Sequence, residues 1–478
     1  MRRGLVLFVI ILTAFLACTI FSSCGGIDAL LEDKMQFASD GNGGAVLVSV
    51  QGYRGKDTVI PRVSPDGEPV VGIGAEAFAG SGALSVTVPD GVTFIDSRAF
   101  ANCLSLTSFH VPDTVTELGL RVFEGCSSLT ELTVGESNTV YYSKNNCIIT
   151  LESGLLVAGC GDSVIPDGVI SIASGAFYGS SKLKSAVIPE GVTAIGSYAF
   201  YGCSNVTAIT LPESLTHMGA YAFNGCSLVS EVTVPLGITV LNEGVFRNCV
   251  SLVTVNLPQE LTKIGDMAFQ GCVALVDPVI PDSVTEIGGL AFSGCSAIIF
   301  LELPKSLGKL GDGAFSYCEW LWGIDIDKNN PVFRTENNCL IRRSDGVIVL
   351  GTRGSQIPED ESVTAIADRA FFGAIFVRST VIPPNIRSIG KEAFYGCDYL
   401  ERIIISDATT SIGDGAFAHC FTLHTVYISS SVENVGRRLF VGCTALKEIL
   451  VASQSLPHGW DEDWNGSDAR VVYGAERP

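Results

Sequence analysis

Between residues 45 and 450 the chain repeats one order of apolar and polar positions. A unit reads roughly L-x-x-L-x-[LIV]-P-x-x-[VL]-T-x-[IL]-G-x-x-A-F-x-G-C, as in the stretch from Gly196 to Ser227. Near the end of its first part the pattern alternates with period two. In Val206–Pro212, Ile209 and Leu211 share one face, which predicts a short strand. Pro212 ends that strand because it has no backbone donor. A second short extended piece, VTAIG, turns Val192 and Ile195 inward, and Gly196 permits a turn. The SYAFYGC segment is too short for a stable helix and predicts one helical or 3₁₀ turn. One unit cannot bury its apolar side, but stacked units share a continuous core.

Phenylalanine marks the phase. Phe78, Phe100 and Phe123 form a first block. The second runs Phe177, Phe200, Phe223, Phe246, Phe269, Phe292, Phe315, and the third Phe371, Phe394, Phe417, Phe440. The step within blocks is 23 residues, except 22 from Phe78 to Phe100. The pattern predicts a repeat solenoid of about 14 coils, roughly 65–70 Å long at the spacing of parallel strands. Short strands would form a parallel sheet on its concave face, with helical turns elsewhere. The two breaks between blocks both contain an NNC triplet, at Asn145–Cys147 and Asn337–Cys339. Each is followed by an alternating segment holding a hairpin dipeptide, Ser153-Gly154 or Asp345-Gly346. They predict coils enlarged by a β-hairpin at about residues 135–163 and 327–355, either decorative or part of a binding surface.

Eleven cysteines, from Cys103 to Cys443, each follow a phased Phe by three residues. A column with one thiol per coil offers no convergent metal site, and parallel side chains of adjacent coils sit slightly far apart for disulfides. Buried free thiols packing as small hydrophobes remain the favoured reading. Ser81, Ser180 and Ala374 occupy the same place in the other coils, consistent with packing. No metal or other cofactor is expected.

The formal net charge of −20 argues against nucleic acid as a partner. Residues 1–23 read as an export signal, with Arg2 and Arg3 ahead of an apolar stretch from Leu5 to Phe21. Phe21-Ser22-Ser23-Cys24 resembles a relaxed bacterial lipobox, with Phe where Leu is usual. In that reading Cys24 is the lipidated residue and anchors the protein to a membrane. Cys18 is a weaker site, and an uncleaved anchor or an ordinary secretory signal are the alternatives. Residues 24–44 would form a tether, 45–450 the solenoid and 451–478 a C-terminal cap.

The L-x-x-L-x-L-P…IG-x-x-AF-x-G-C unit, the NNC inserts and the final LPHGWDEDWNGSDARVVYG resemble the BspA-type, or treponemal-type, leucine-rich repeats. The resemblance implies a curved, secreted or surface-bound solenoid that binds other macromolecules, several relatives acting as adhesins. It carries no catalytic residues. The expected protein is a non-enzymatic, monomeric surface lipoprotein binding a host matrix or cell-surface protein or glycan through its concave face.

Varying positions beside the strand core are where recognition would reside. One such column runs from Thr87 to Leu450 and ends in Val381, Ile404, Tyr427 and Leu450. Phe300, Trp320 and Trp322 lie on adjacent coils. Trp and Tyr are favoured anchors, so the candidate ligand-binding residues are Phe300, Trp320, Trp322, Ile404 and Tyr427. Some of these could instead turn inward where coils enlarge. Glu302 and Asp325, one coil apart, are a carboxylate pair open to acid–base chemistry or to an acidic rim. A structural spacer without a ligand and a glycan-active enzyme are therefore the alternative readings.

Overall fold

The computed structural model describes residues 34–53, 55–374 and 379–478. The expected signal segment and Cys24 lie outside the described residues. Two ladders of very short parallel strands run along the stack. In the first, Ser185–Val187 pairs with Ala208–Thr210. In the second, Ala194–Ile195 lies between Ser171–Ile172 and His217–Met218. Strand Ala208–Thr210 stops before Pro212, and Val192 and Ile195 are wholly buried, as the pattern predicts.

The turn carrying each phased Phe is not helical. Its N–H groups alternate between two kinds of partner. Ala199, Tyr201 and Cys203 donate to carbonyls three residues back. Tyr198, Phe200 and Gly202 donate to Ala220, Ala222 and Asn224 of the next coil. A helix would need every N–H for its own carbonyls. Tyr198 also sits at φ 58°, a left-handed conformation that interrupts helical winding. The chain gives up helical bonding here for a third line of coil-to-coil bonds.

Inside, the Phe rings stack within each block, for example at 4.8 Å between Phe177 and Phe200 and 5.1 Å between Phe292 and Phe315. The fourteen described cysteines are free and buried. Ladder thiols do more than fill space: Cys203 Sγ donates to the Phe177 carbonyl at 3.1 Å, and Cys249 Sγ to that of Phe223 at 3.3 Å. Burial pushes the Cys203, Cys249 and Cys318 thiols up to about 12, which keeps them protonated and unreactive near neutrality.

Each insert is a three-stranded antiparallel meander rather than a single hairpin. Tyr141–Lys144 pairs with Cys147–Thr150, which pairs with Leu155–Ala158. The second insert repeats this with Phe333–Glu336, Cys339–Arg342 and Val347–Gly351. The additional hairpin turns on the NNC motif. Asn145 and Asn146 have φ of 52° and 60°, and Asn337 and Asn338 of 49° and 58°, the left-handed pair that tight hairpins require. The third strand rejoins the parallel ladder, Leu155–Ala158 against Ser171–Ile172. Gly159 and Gly351 close the meanders because a Cβ there would lie about 2 Å from the Phe177 or Phe371 ring.

A buried asparagine clamps each meander to the coil before it. Asn138 Nδ2 donates to the carbonyls of Pro112 and Val115, while its Oδ1 accepts the N–H groups of Val140 and Tyr141. Asn330 does the same with Lys305, Leu307, Val332 and Phe333.

The ends differ from expectation. Lys34–Ser39 is a strand antiparallel to Ala45–Gln51, so part of the expected tether is a strand of the first sheet. The Asp40 carboxylate accepts the N–H groups of Asn42 and Gly44 to make the connecting turn, and these bonds lower its pKa. At the other end Trp460 and Trp464 close the core, Trp464 edge-on to Phe440 at 6.4 Å. The acidic residues between them face Arg437 and Arg438, in ion pairs with Asp461 and Asp463.

Candidate functional site: a broken strand ladder with an exposed apolar face

Between the two inserts the first ladder lacks pairing between Ala208–Thr210 and Glu231–Thr233, and at one further place it loses a whole strand. Thr254–Asn256 pairs only with Glu231–Thr233, and Phe300–Leu303 only with Gly323–Ile326. The coil between them, Asp277–Val279, forms no strand. Pro278 stands where neighbouring coils place Val255 and Leu301, and it cannot donate to a ladder. Asp277 adopts φ 28°, and its Oδ1 accepts the N–H groups of Ile299 and Phe300 at 2.9 and 3.1 Å. A side-chain carboxylate thus replaces the missing backbone acceptor.

A groove of about 400 Å³ opens over this break, lined by Gln259, Pro278, Val279, Phe300 and Glu302 among others. Val279 is 78% exposed on its rim. Phe300 lies over Gly323, its register partner, where a Cβ would come within 3.0 Å of the ring. One coil on, Trp320 and Trp322 are both exposed. The guanidinium of Arg353 lies 4.8 Å from the Trp320 ring centroid and 5.7 Å from that of Trp322. The second insert places that arginine: Arg353 N donates to the Leu321 carbonyl, and Thr352 Oγ1 to that of Trp322.

The five sequence-predicted residues therefore separate into two groups. Phe300, Trp320 and Trp322 are exposed on neighbouring coils. Ile404 and Tyr427 are only 4% and 5% exposed, so they do not offer a free surface. Their column is covered where the chain folds back near its end. Arg470–Tyr473 adds a strand beside Glu448–Val451, and Arg402 donates to the Pro478 carbonyl. Burial, and after it the Asp407 carboxylate, raise the Tyr427 phenol, and the Arg477 cation opposes them. Tyr427 is thus a buried residue of the solenoid sheet.

Glu302 and Asp325 are register partners and both exposed. Asp325 Oδ1 accepts a bond from Thr335 Oγ1 and one from its neighbour's amide, Ile326 N. Among the described residues no cluster of three His, Cys, Asp or Glu could hold a metal ion.

Sequence reasoning missed Val253, Val276 and Ile299, all exposed, and the cation that Arg353 brings to the tryptophans. The first three were legible as apolar residues in a column that holds Lys184, Thr207 and Ser230 in the coils before them and Glu401, His424 and Lys447 in coils after them. Arg353 was not, because its place depends on how the insert folds.

This architecture, with phased Leu, Phe and Cys positions in stacked coils joined by parallel ladders, defines a leucine-rich-repeat solenoid. The BspA-type leucine-rich repeat region matches in six copies, over residues 67–151, 160–276, 262–342 and 355–456, and the chain belongs to that family. Among solved structures, a leucine-rich cell surface protein of Faecalibacterium prausnitzii is 24% identical, with 96% of each chain covered and a TM-score of 0.48. A leucine-rich repeat protein of Bacteroides ovatus is 20% identical over 94% of this chain and 100% of its own, with a TM-score of 0.39. The pneumococcal vaccine antigen PcpA is 15% identical over 95% of this chain and 89% of its own, with a TM-score of 0.37. No curated protein sequence matches the chain. The family assignment rests on the repeats rather than on these superpositions.

Proposed function

We propose that the protein is a non-enzymatic, surface-exposed binding protein, adhesin-like, held at the bacterial envelope through lipidated Cys24. It takes a protein or glycan ligand on the face of the first ladder, the one expected to be concave. The observation that carries this reading is the exposure of Phe300, Trp320 and Trp322 together beside the ladder break. Large aromatic side chains left in water cost solvation, and clustered ones mark recognition surfaces. The core accounts for the invariant letters of the repeat, so it makes no demand on these three.

The test is binding of the protein to a panel of matrix proteins, host-cell surfaces and bacterial glycans. Saturable binding that falls at least about tenfold in Phe300→Ala plus Trp322→Ala supports this face, as expected for loss of two anchors. Saturable binding untouched by these changes moves the site to the inserts or the Phe-turn edge. No saturable binding anywhere on the panel favours a rigid spacer instead.

A further inference from the structure

One column of the repeat changes character over four successive coils. The position after the first core leucine is polar on either side: Lys184, Thr207 and Ser230 before, Glu401, His424 and Lys447 after. In between it is Val253, Val276, Ile299 and Trp322, which are 43%, 48%, 55% and 58% exposed. These residues are direct neighbours. Val276 N donates to the Val253 carbonyl, and Trp322 N to that of Ile299. Asp277 holds Ile299 from the intervening coil. At one strand spacing per coil the stripe is about 14 Å long. Phe300 and Val279 widen it toward the groove at the ladder break.

Core packing does not require apolar residues here, since other coils carry lysine or threonine in the same place. The stripe therefore costs solvation without stabilising the fold, unless something covers it. Its border is acidic. Glu231, Asp277, Glu302 and Asp325 flank it along the strand face, in a chain of net charge −20.

We propose that this stripe and the adjoining groove bind an extended polypeptide segment with apolar or aromatic side chains flanked by lysine or arginine. This rests on the binding reading above and names the ligand class for it. Two observations favour polypeptide over glycan. The stripe is mostly aliphatic, which suits apolar side chains, whereas sugars are held on aromatic faces bracketed by polar groups. Arg353 already lies over both tryptophan rings and would have to leave before a sugar could stack there. The acidic border selects the sign of the flanking charge.

The experiment is selection of phage-displayed random 12-residue peptides on the full chain, with Ile299→Lys as the comparison protein. That variant is expected to fold, because Lys184 and Lys447 occupy the equivalent position in other coils; circular dichroism and thermal melting check it. The expected result is enrichment of apolar and aromatic residues with lysine or arginine, and depletion of aspartate and glutamate. Selected peptides should lose at least tenfold in affinity on Ile299→Lys, and weaken as salt rises. The proposal is overturned by no enrichment, by enrichment indifferent to Ile299→Lys, or by acidic peptides. It is also overturned if an oligosaccharide array, not peptide, gives the binding that Ile299→Lys removes. Failure here, with panel binding still lost in Phe300→Ala plus Trp322→Ala, leaves the binding reading intact and refutes only the peptide assignment. Failure of both removes the binding reading itself.

Discussion

Replacing Asn138 with leucine tests how the meanders are held to the solenoid. The side chain is buried, and its four hydrogen bonds are 2.8–2.9 Å long. Leucine is close in volume but offers no donor or acceptor. The substitution strands two carbonyls on the buried residues Pro112 and Val115, and the N–H of buried Tyr141. Val140 is half-buried, so water recovers part of its bond. An unsatisfied buried polar group costs about 1–3 kcal/mol. With three such groups and some relaxation, Asn138→Leu is expected to cost about 3–5 kcal/mol. Asn330→Leu should cost less, about 2–4 kcal/mol, because one of its acceptors belongs to exposed Lys305. A long repeat array need not unfold in one step, so the assay is amide hydrogen exchange rather than a global melt. The Val140 and Tyr141 amides should lose protection by that free energy, while those of coils beyond Phe200 change little. Asn138→Asp keeps an acceptor for the N–H groups of Val140 and Tyr141, but its ionised carboxylate cannot donate to either carbonyl, so it too should cost stability at neutral pH. A cost below about 1 kcal/mol for Asn138→Leu, or protection unchanged at Val140 and Tyr141, would refute the clamp.

Three further outcomes follow from the packing. Native protein should leave the ladder thiols unlabelled by an aromatic disulfide reagent, with rapid labelling after unfolding. Because burial raises Cys203, Cys249 and Cys318 from 9.0 to about 12, the fold should lose stability as pH rises across that interval and show no thiol contribution below it; urea midpoints between pH 8 and pH 11 would read this. Leu290→Gly should stabilise the fold by up to about 1 kcal/mol, since Leu290 is held at φ 55° where glycine bears no Cβ penalty; a lower urea midpoint would show that its side chain contributes more than its backbone costs.

The repeat made most of the fold readable. Period and alternation placed Phe200, Ile195 and Ile209 inward, and a small residue in the Cys position pointed to packing. The thiol-to-carbonyl bonds were not readable, because they depend on which carbonyl of the neighbouring coil lies within reach. The helical turn was misjudged for a related reason. A segment such as SYAFYGC has no helical signature of its own, and only the stacked neighbour offers carbonyls to alternate N–H groups. The NNC motif was visible but read past. Its asparagines form a left-handed hairpin turn, and the clamp residues Asn138 and Asn330 each precede that pair by seven residues. Candidate site residues divided along the same line. Phe300 stands out because its column elsewhere is small or polar, and Trp320 and Trp322 as two tryptophans on one coil. Ile404 and Tyr427 looked equivalent, but the chain's return over the last coils covers them, and column position alone does not encode that.

The central claim is that ligands bind on the strand face around the ladder break. Hydrogen-exchange footprinting of the protein with a captured ligand tests it most directly. The account predicts slowed exchange in segments 253–256, 276–280, 299–303 and 320–326, with the turns around Phe200 and the first meander unchanged. Protection confined to the first meander, or to the Phe turns, with those four segments unaltered, would contradict it.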